Sequence, residues 1–208
     1  MTALNTLQSV SVILASVIAS GTVIYGVNAW RREYTGKRKI ELAEEVLALF
    51  YEARDAIRFI RSPFGYVGEG STRKSAPNET SEEKSINDNA YVVNERYIKR
   101  QDLFNKIYSM RYRYMAQFGK DWAKPFDELD KIVRELLISA HMLANYWKES
   151  QYRQWKNQEE FQRHLDELHK YEAIFWEMTP DKDPITPRVE AMISEIEAQS
   201  AKVIGKSK

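Results

Sequence analysis

The chain has 208 residues, with 31 Lys and Arg against 30 Asp and Glu, three His and no Cys. The length suits one domain with appendages. The absence of Cys excludes disulfides, thiolate catalysis, Cys-ligated zinc and iron–sulfur clusters. The net charge of +1 argues against a generic nucleic-acid binder, so nucleic acid is not expected as a partner.

The first 30 residues carry no Asp, Glu, Lys or Arg, and every charged side chain follows Trp30. As an α-helix, residues 7–30 would extend about 36 Å, enough to cross the ~30 Å core of a bilayer with some tilt. An interfacial aromatic followed by basic residues is typical of the cytoplasmic end of a span. The basic residues here are Arg31, Arg32, Lys37, Arg38 and Lys39. We expect them to contact anionic lipid head groups.

We therefore predict a single-pass protein of the cell (inner) membrane. Residues 1–30 form the transmembrane anchor, the N-terminus lies outside, and the domain after the anchor is cytosolic. Three alternatives are weaker. A signal peptide needs a basic start and a shorter apolar core, a buried core helix would not switch abruptly to Arg-Arg, and an interfacial helix needs a stronger polar face. Small residues at four-residue spacing in the anchor, Ala15/Ala19 and Ser16/Ser20, would let two spans approach closely, but such residues are common in spans and do not by themselves predict self-association.

Residues 31–61 contain the basic cluster and then an apolar pattern at three- and four-residue spacing, which predicts the first bundle helix. This helix continues from the span, with a break expected near Gly36. It ends before Pro63, because proline disfavours helical geometry in the preceding residue. Residues 62–86, rich in Gly, Ser, Pro and Asn, are predicted to be a flexible loop.

The loop is a candidate contact surface for an anion or a protein partner. Its basic residues are Arg61, Arg73 and Lys74. Its glycines do not form a nucleotide-binding P-loop, because that motif requires Lys directly before the Ser or Thr and a strand before the loop. Here Gly70 precedes Ser71, and a predicted helix precedes the loop.

Three further helices are predicted within 87–179, over about 87–118, 125–148 and 149–177, each with a 3/4 apolar stripe. A Pro-rich linker and a last helix over about 187–201 occupy 180–208. No segment shows sustained β alternation. The predicted fold class is all-α: one N-terminal transmembrane helix followed by a four- to five-helix cytosolic bundle.

Four charged residues occupy or adjoin apolar stripes of the predicted helices: Arg54, Arg100, Arg111 and Glu172. A charge at such a position is paired, or reaches water along its stem. We expect Glu172 to pair with Arg100 or Arg111 across the bundle, where such a pair specifies register more than it adds stability. In one alternative, each of these charged side chains simply reaches solvent along its own stem. In the other, they form a buried site for a small anion.

Metal and catalytic motifs are not found. His164 and His169 are five residues apart, which places them on different helix faces. Only Asp166-Glu167-Leu168-His169 approaches the Glu-x-x-His motif of a di-iron site, and no second copy exists. We expect all three His at the surface or its boundary, no metal, no cofactor and no catalytic residue.

The sequence thus favours a non-enzymatic, membrane-anchored helical interaction or scaffold protein, whose partners are the lipid bilayer and either another protein or a second copy of the chain. The alternatives are a small-anion sensor or enzyme with a buried polar site, and contact of basic helix faces with anionic lipid or nucleic acid.

Overall fold

The computed structural model describes the backbone of residues 2–205 and the side chains of residues 22, 23 and 25–205. Within this part of the chain all regular structure is helical, which confirms the predicted all-α class. Six α-helices and one short 3₁₀ turn follow in order: α1 Thr2–Arg61, α2 Ser81–Ile98, α3 Gln101–Phe118, the 3₁₀ turn Lys120–Ala123, α4 Lys124–Tyr152, α5 Gln158–Phe175 and α6 Thr186–Ile204.

Helix α1 is continuous over 60 residues, so the break expected at Gly36 does not occur. At 1.5 Å per residue it measures about 90 Å. It ends at Arg61, as the following Ser-Pro predicts. Its last third is central to the bundle, and a stripe at three- and four-residue spacing is buried there: Ala43, Val46, Phe50, Ala53, Ile57 and Ile60.

The other helices pack around this stripe. Helix α6 runs antiparallel to α1, since the Ser200 hydroxyl donates to the Ala43 carbonyl (3.4 Å) and Tyr51 donates to Glu197 (2.8 Å). Helix α4 contributes Phe126, whose ring lies edge-on to Phe50 with centroids 4.9 Å apart. Burial of these apolar faces is the main source of bundle stability.

Helix α5 packs against the C-terminal half of α4 in the antiparallel direction. The Tyr146 and Tyr171 rings lie 5.5 Å apart, and the Ser150 hydroxyl lies 2.7 Å from Nε2 of His164. The last turns of α4, the residue after α5 and the first half of α2 line one groove together with the 62–80 loop, through Trp147, Gln151, Trp176, Ile86 and Asn89.

Two predicted boundaries of the second helix are wrong. Helix α2 begins at Ser81 rather than 87, because Thr80 and Glu83 form a capping box: the Thr80 hydroxyl accepts from the Glu83 N–H, and Glu83 accepts from the Thr80 N–H. The predicted 87–118 helix is also divided at Lys99–Arg100, where Arg100 leaves helical geometry (φ −116°, ψ 6°).

The predicted 149–177 helix is likewise two elements. Helix α4 continues to Tyr152, and α5 begins only after Asn157, whose side chain caps it by accepting from the Glu160 N–H at 2.8 Å. The last helix is confirmed and slightly longer than predicted, Thr186–Ile204.

Among the helices whose side chains are described, none has a stretch both long and apolar enough to span a bilayer. The predicted anchor and its small-residue face fall mostly on residues 1–21 and 24, which lie outside the described side chains. The anchor therefore stays a prediction.

Candidate functional site

Three large apolar or aromatic side chains of the 62–80 loop extend into solvent. Phe64 is 84% exposed, Tyr66 82% and Val67 108%, so the rest of the chain covers little of their surface. Apolar side chains grouped on an exposed loop are typical of interaction sites. We name Phe64, Tyr66 and Val67 the apolar tip.

A buried arginine fixes the base of this loop. Arg96 of α2 is only 1% exposed, although the sequence pattern does not distinguish it from the basic surface residues around it. Its guanidinium donates hydrogen bonds of 2.6–3.3 Å to four carbonyls where α1 ends and the loop begins, those of Phe59, Ile60, Ser62 and Phe64. The last carbonyls of a helix lack partners within the helix. Arg96 therefore supplies from another helix the cap that α1 lacks.

The same guanidinium also binds Glu69, which follows the apolar tip in the chain. The pair is bidentate, with Nε to Oε1 at 2.7 Å and Nη2 to Oε2 at 2.8 Å, and both side chains are almost fully buried. The hydrogen bond from Arg96 holds the pKa of Glu69 below its ordinary value of 4.5. The apolar tip therefore lies between two segments bound to one arginine, which limits its freedom before any partner binds.

A close backbone approach attaches the loop to α2. Gly70 has φ +85°, and a Cβ on it would lie 1.9 Å from the carbonyl oxygen of Asp88, so only glycine fits. The Gly70 N–H and the Thr72 hydroxyl each donate to Glu95 Oε2 at 2.8 Å. A hydrogen bond from Lys99 is the main reason that the pKa of Glu95 is lowered.

Arg73 closes the loop rather than facing a ligand. It pairs with Glu79 at 2.7 Å and with Asp88 at 3.1 Å, and Asn87 donates to the other Glu79 oxygen at 2.6 Å. The prediction that Arg73 is a contact residue is therefore corrected, because its charge is already neutralised within the loop. Lys74 is exposed, as a contact residue must be.

Arg61 is also structural, contrary to prediction. It is 1% exposed and donates at 2.7–2.9 Å to the carbonyls of Ala173, Ile174 and Trp176, which caps the end of α5. It also pairs with buried Asp183 at 3.0 Å. Burial of Arg61 lowers the pKa of its guanidinium. Because Arg61 is buried and its guanidinium is already bound to these carbonyls and to Asp183, it is not available to an anion or a partner.

A groove of about 530 Å³ opens beside the apolar tip. Tyr66 and Glu69 form its loop side, and Trp147, Gln151 and Trp176 form its helix side. The Trp147 indole donates to Glu172 Oε1 at 2.9 Å, which orients its ring. Since Tyr66 belongs to both the tip and the groove, the two make one continuous aromatic surface.

The ion pair predicted for Glu172 is wrong. Glu172 accepts from Trp147, whereas Arg111 pairs with Asp127 through Nη2 at 2.8 Å. The reason is that α5 packs on α4, away from the helix that carries Arg111.

Arg100 and Arg54 do not complete a shared site either. The break before α3 leaves Arg100 exposed, with its guanidinium 5.4 Å from the Phe59 ring centre. Arg54 lies beside its neighbour Asp55, at 3.6 Å, and over the Tyr51 ring at 5.4 Å. The four stripe charges therefore have separate local partners and are not brought together.

One histidine departs from expectation. His141 and His169 are exposed, but His164 is buried between α4 and α5, with Nε2 at 2.7 Å from the Ser150 hydroxyl and its ring 4.5 Å from that of Trp155. In the part of the chain with described side chains, no three His, Asp or Glu residues are grouped as metal ligands would be.

The predicted head-group residues lie along α1 before it enters the bundle. Four of them are exposed and Lys39 is half-buried, and Arg38 lies over the Tyr34 ring at 5.6 Å. The remaining three are Arg31, Arg32 and Lys37.

Comparison of the chain with protein-family models, with curated proteins and with solved structures finds no match.

Proposed function

We propose that this chain is a membrane-anchored interaction module that presents the apolar tip, with the groove beside it, to a protein partner. The single observation that carries the proposal is a fully exposed apolar segment held by a fully buried arginine. The uncharged 1–30 segment is proposed as the anchor, and the bundle as the rigid support that carries the tip into the cytosol.

The energetics support a binding role for this loop. Association costs conformational freedom, and a segment already fixed in place pays less of that cost. Exposed aromatic residues beside a groove supply the large contact area at which binding energy concentrates. Confinement to a membrane raises the effective concentration of both partners, which suits a contact of only three side chains.

The tip is tested by site-specific photo-crosslinking in cells, with a photoreactive residue in place of Val67 in the full chain. We expect one discrete crosslinked species, and the F64S/Y66S double variant should reduce it at least tenfold, because truncating two aromatic anchors costs more than about 1 kcal/mol each. The variant should unfold like the unchanged chain, within about 0.5 kcal/mol, because both side chains are in solvent.

The matched control is Ile138 of α4, which is 55% exposed and lies outside the loop. A photoreactive residue there should give no such species, and I138S should leave the Val67 crosslink unchanged. A crosslinked mass at a multiple of 24.4 kDa identifies the partner as a second copy. Equal crosslinking from positions 67 and 138 contradicts the proposal.

The membrane topology is tested by single-cysteine labelling, which is direct because the chain has no Cys of its own. In spheroplasts, a membrane-impermeant maleimide should label N5C without permeabilisation and S75C only after it. Ser75 is exposed in the 62–80 loop, so its protection in intact spheroplasts would reflect topology rather than burial. Labelling of S75C in intact spheroplasts would show that the 62–80 loop lies outside the cell, which is the opposite of the proposed orientation.

A further inference from the structure

Basic residues from other parts of the chain lie at the same end of the bundle as the 31–39 cluster. Lys120 is the first residue of the 3₁₀ turn after α3, and Lys124 is the residue that follows this turn. Lys202 lies in the last turn of α6. Nothing in their sequence positions relates them to 31–39. Helix α6 brings Lys202 there, because it runs antiparallel to α1 and reaches Ala43 through Ser200.

A cavity of about 350 Å³ shows that these elements meet. Its walls are Gly36, Lys39 and Ile40 of α1, Phe118 and Trp122 at the end of α3 and in the turn, and Lys202 and Val203 of α6. The Phe118 and Trp122 rings stack with centroids 4.8 Å apart. An aromatic pair thus lies among the basic side chains, where α1 enters the bundle.

The basic side chains at this end are unpaired. We name this surface the basic end, and its members are Arg31, Arg32, Lys37, Arg38, Lys39, Lys120, Lys124 and Lys202. Two acidic residues, Glu33 and Asp121, lie among them in the sequence. In the described part of the chain, none of the eight basic side chains lies within ion-pair distance of a carboxylate.

Elsewhere on the bundle most Lys and Arg side chains do pair. Examples are Arg111 with Asp127 at 2.8 Å and Arg188 with Glu135 at 2.5 Å. The basic end therefore groups eight basic side chains, none of which has a carboxylate partner in the described part of the chain.

We infer that the basic end binds the anionic head groups of the bilayer that α1 enters, with the turn Lys120–Ala123 and the end of α6 seated on the lipid surface. This inference rests on the proposed anchor. Clustered Lys and Arg next to a span attract anionic lipid, and an indole such as that of Trp122 prefers the interface. A membrane fits better than a nucleic acid, because the surface is continuous with the uncharged segment that precedes Arg31.

The test uses the full chain in lipid nanodiscs, either purely zwitterionic (phosphatidylcholine) or containing one third phosphatidylglycerol. A fluorescent label on Q117C, an exposed uncharged position just before the turn, reports access of the neutral quencher acrylamide. The Stern–Volmer constant should fall at least twofold in the anionic discs. A label on V67C at the apolar tip should give the same constant in both discs.

Charge reversal provides the matched comparison. The variant K120E/K124E/K202E should lose the effect of phosphatidylglycerol on the Q117C label. The control K156E/R163E/K182E changes the charge by the same amount at exposed positions elsewhere and should keep the effect.

Equal quenching of Q117C in the two kinds of disc would overturn the inference while leaving the anchor intact, since incorporation into discs is measured separately by co-purification. Protection of Q117C by duplex DNA rather than by phosphatidylglycerol would assign the surface to nucleic acid instead. Failure of the chain to enter discs at all would overturn both the anchor and this inference.

Discussion

Replacing Arg96 with methionine should lower the free energy of unfolding by about 3–5 kcal/mol, the cost of removing one partner of a buried pair. The variant leaves Glu69 without its counter-charge, and it leaves the last carbonyls of α1 without donors. Urea unfolding of the full chain in detergent, followed by far-UV circular dichroism, measures the change. Hydrogen exchange of residues 64–72 should rise further, because the loop loses its tether.

Arg100 gives a matched control, since its guanidinium contacts the same Phe59 ring as that of Arg96, at 5.4 and 5.6 Å, but from the exposed side. R100M should cost within about 1 kcal/mol. Equal losses for the two variants would contradict the tethering role of Arg96.

The acid dependence follows from the lowered pKa of Glu69. A carboxyl whose folded pKa lies below 4.5 stabilises the fold fully above its unfolded value. That contribution is lost as the pH falls through the folded pKa. E69Q should therefore be less stable than the unchanged chain at pH 7, and the difference should shrink as the pH falls below 4.5.

The second large effect is expected at Asp183. D183N should destabilise the fold by about 3–5 kcal/mol, because it leaves Arg61 buried without its counter-charge. The Asp183 carboxylate also accepts from the N–H groups of Met178, Ile185 and Thr186 at 2.8–2.9 Å, which fixes the turn into α6. Burial alone would raise the pKa of Asp183, but these hydrogen bonds and Arg61 outweigh it and hold the pKa below 3.8.

Two surface residues serve as controls for this pair. Asp181 is exposed in the same segment, and D181N should change stability by no more than about 0.5 kcal/mol. Arg58 lies one turn before Arg61, and its pair with Glu190 at 3.8 Å is exposed, so R58M should cost at most about 1 kcal/mol. A D183N variant as stable as D181N would show that Arg61 does not depend on its carboxylate partner.

Helical periodicity was sufficient for the class of fold and for most of the core. The positions of Phe50, Ile57 and Leu136 follow from a repeat of about 3.6 residues, and all three are buried. The boundaries that were wrong depend on shorter signals. The spacing of Thr80 and Glu83 is that of a capping box and indicates the start of α2, but it lies within a polar segment that has the composition of a loop. The break at Arg100 has no Gly or Pro that would indicate it.

The candidate site was harder to predict from the sequence than the fold was, because its contacts join residues that are far apart in the chain. Arg61 and Arg96 each cap the end of a different helix, and a surface arginine has the same sequence appearance. The exposed Phe64, Tyr66 and Val67 could have been noticed as apolar residues inside a segment of loop composition. Only the structure shows that their neighbours are fixed while these side chains stay in water.

The continuous α1 also sets a distance. From Arg31 to Arg61 it rises about 45 Å at 1.5 Å per residue, so the basic end and the apolar tip occupy opposite ends of a rigid rod. Electrostatic fields in physiological salt decay over about 8 Å, so a partner at the tip would not sense the charge of a bilayer at the other end. If the anchor and the apolar tip act as we propose, α1 would hold the binding surface at that height above the bilayer, beyond the reach of partners confined to the lipid surface.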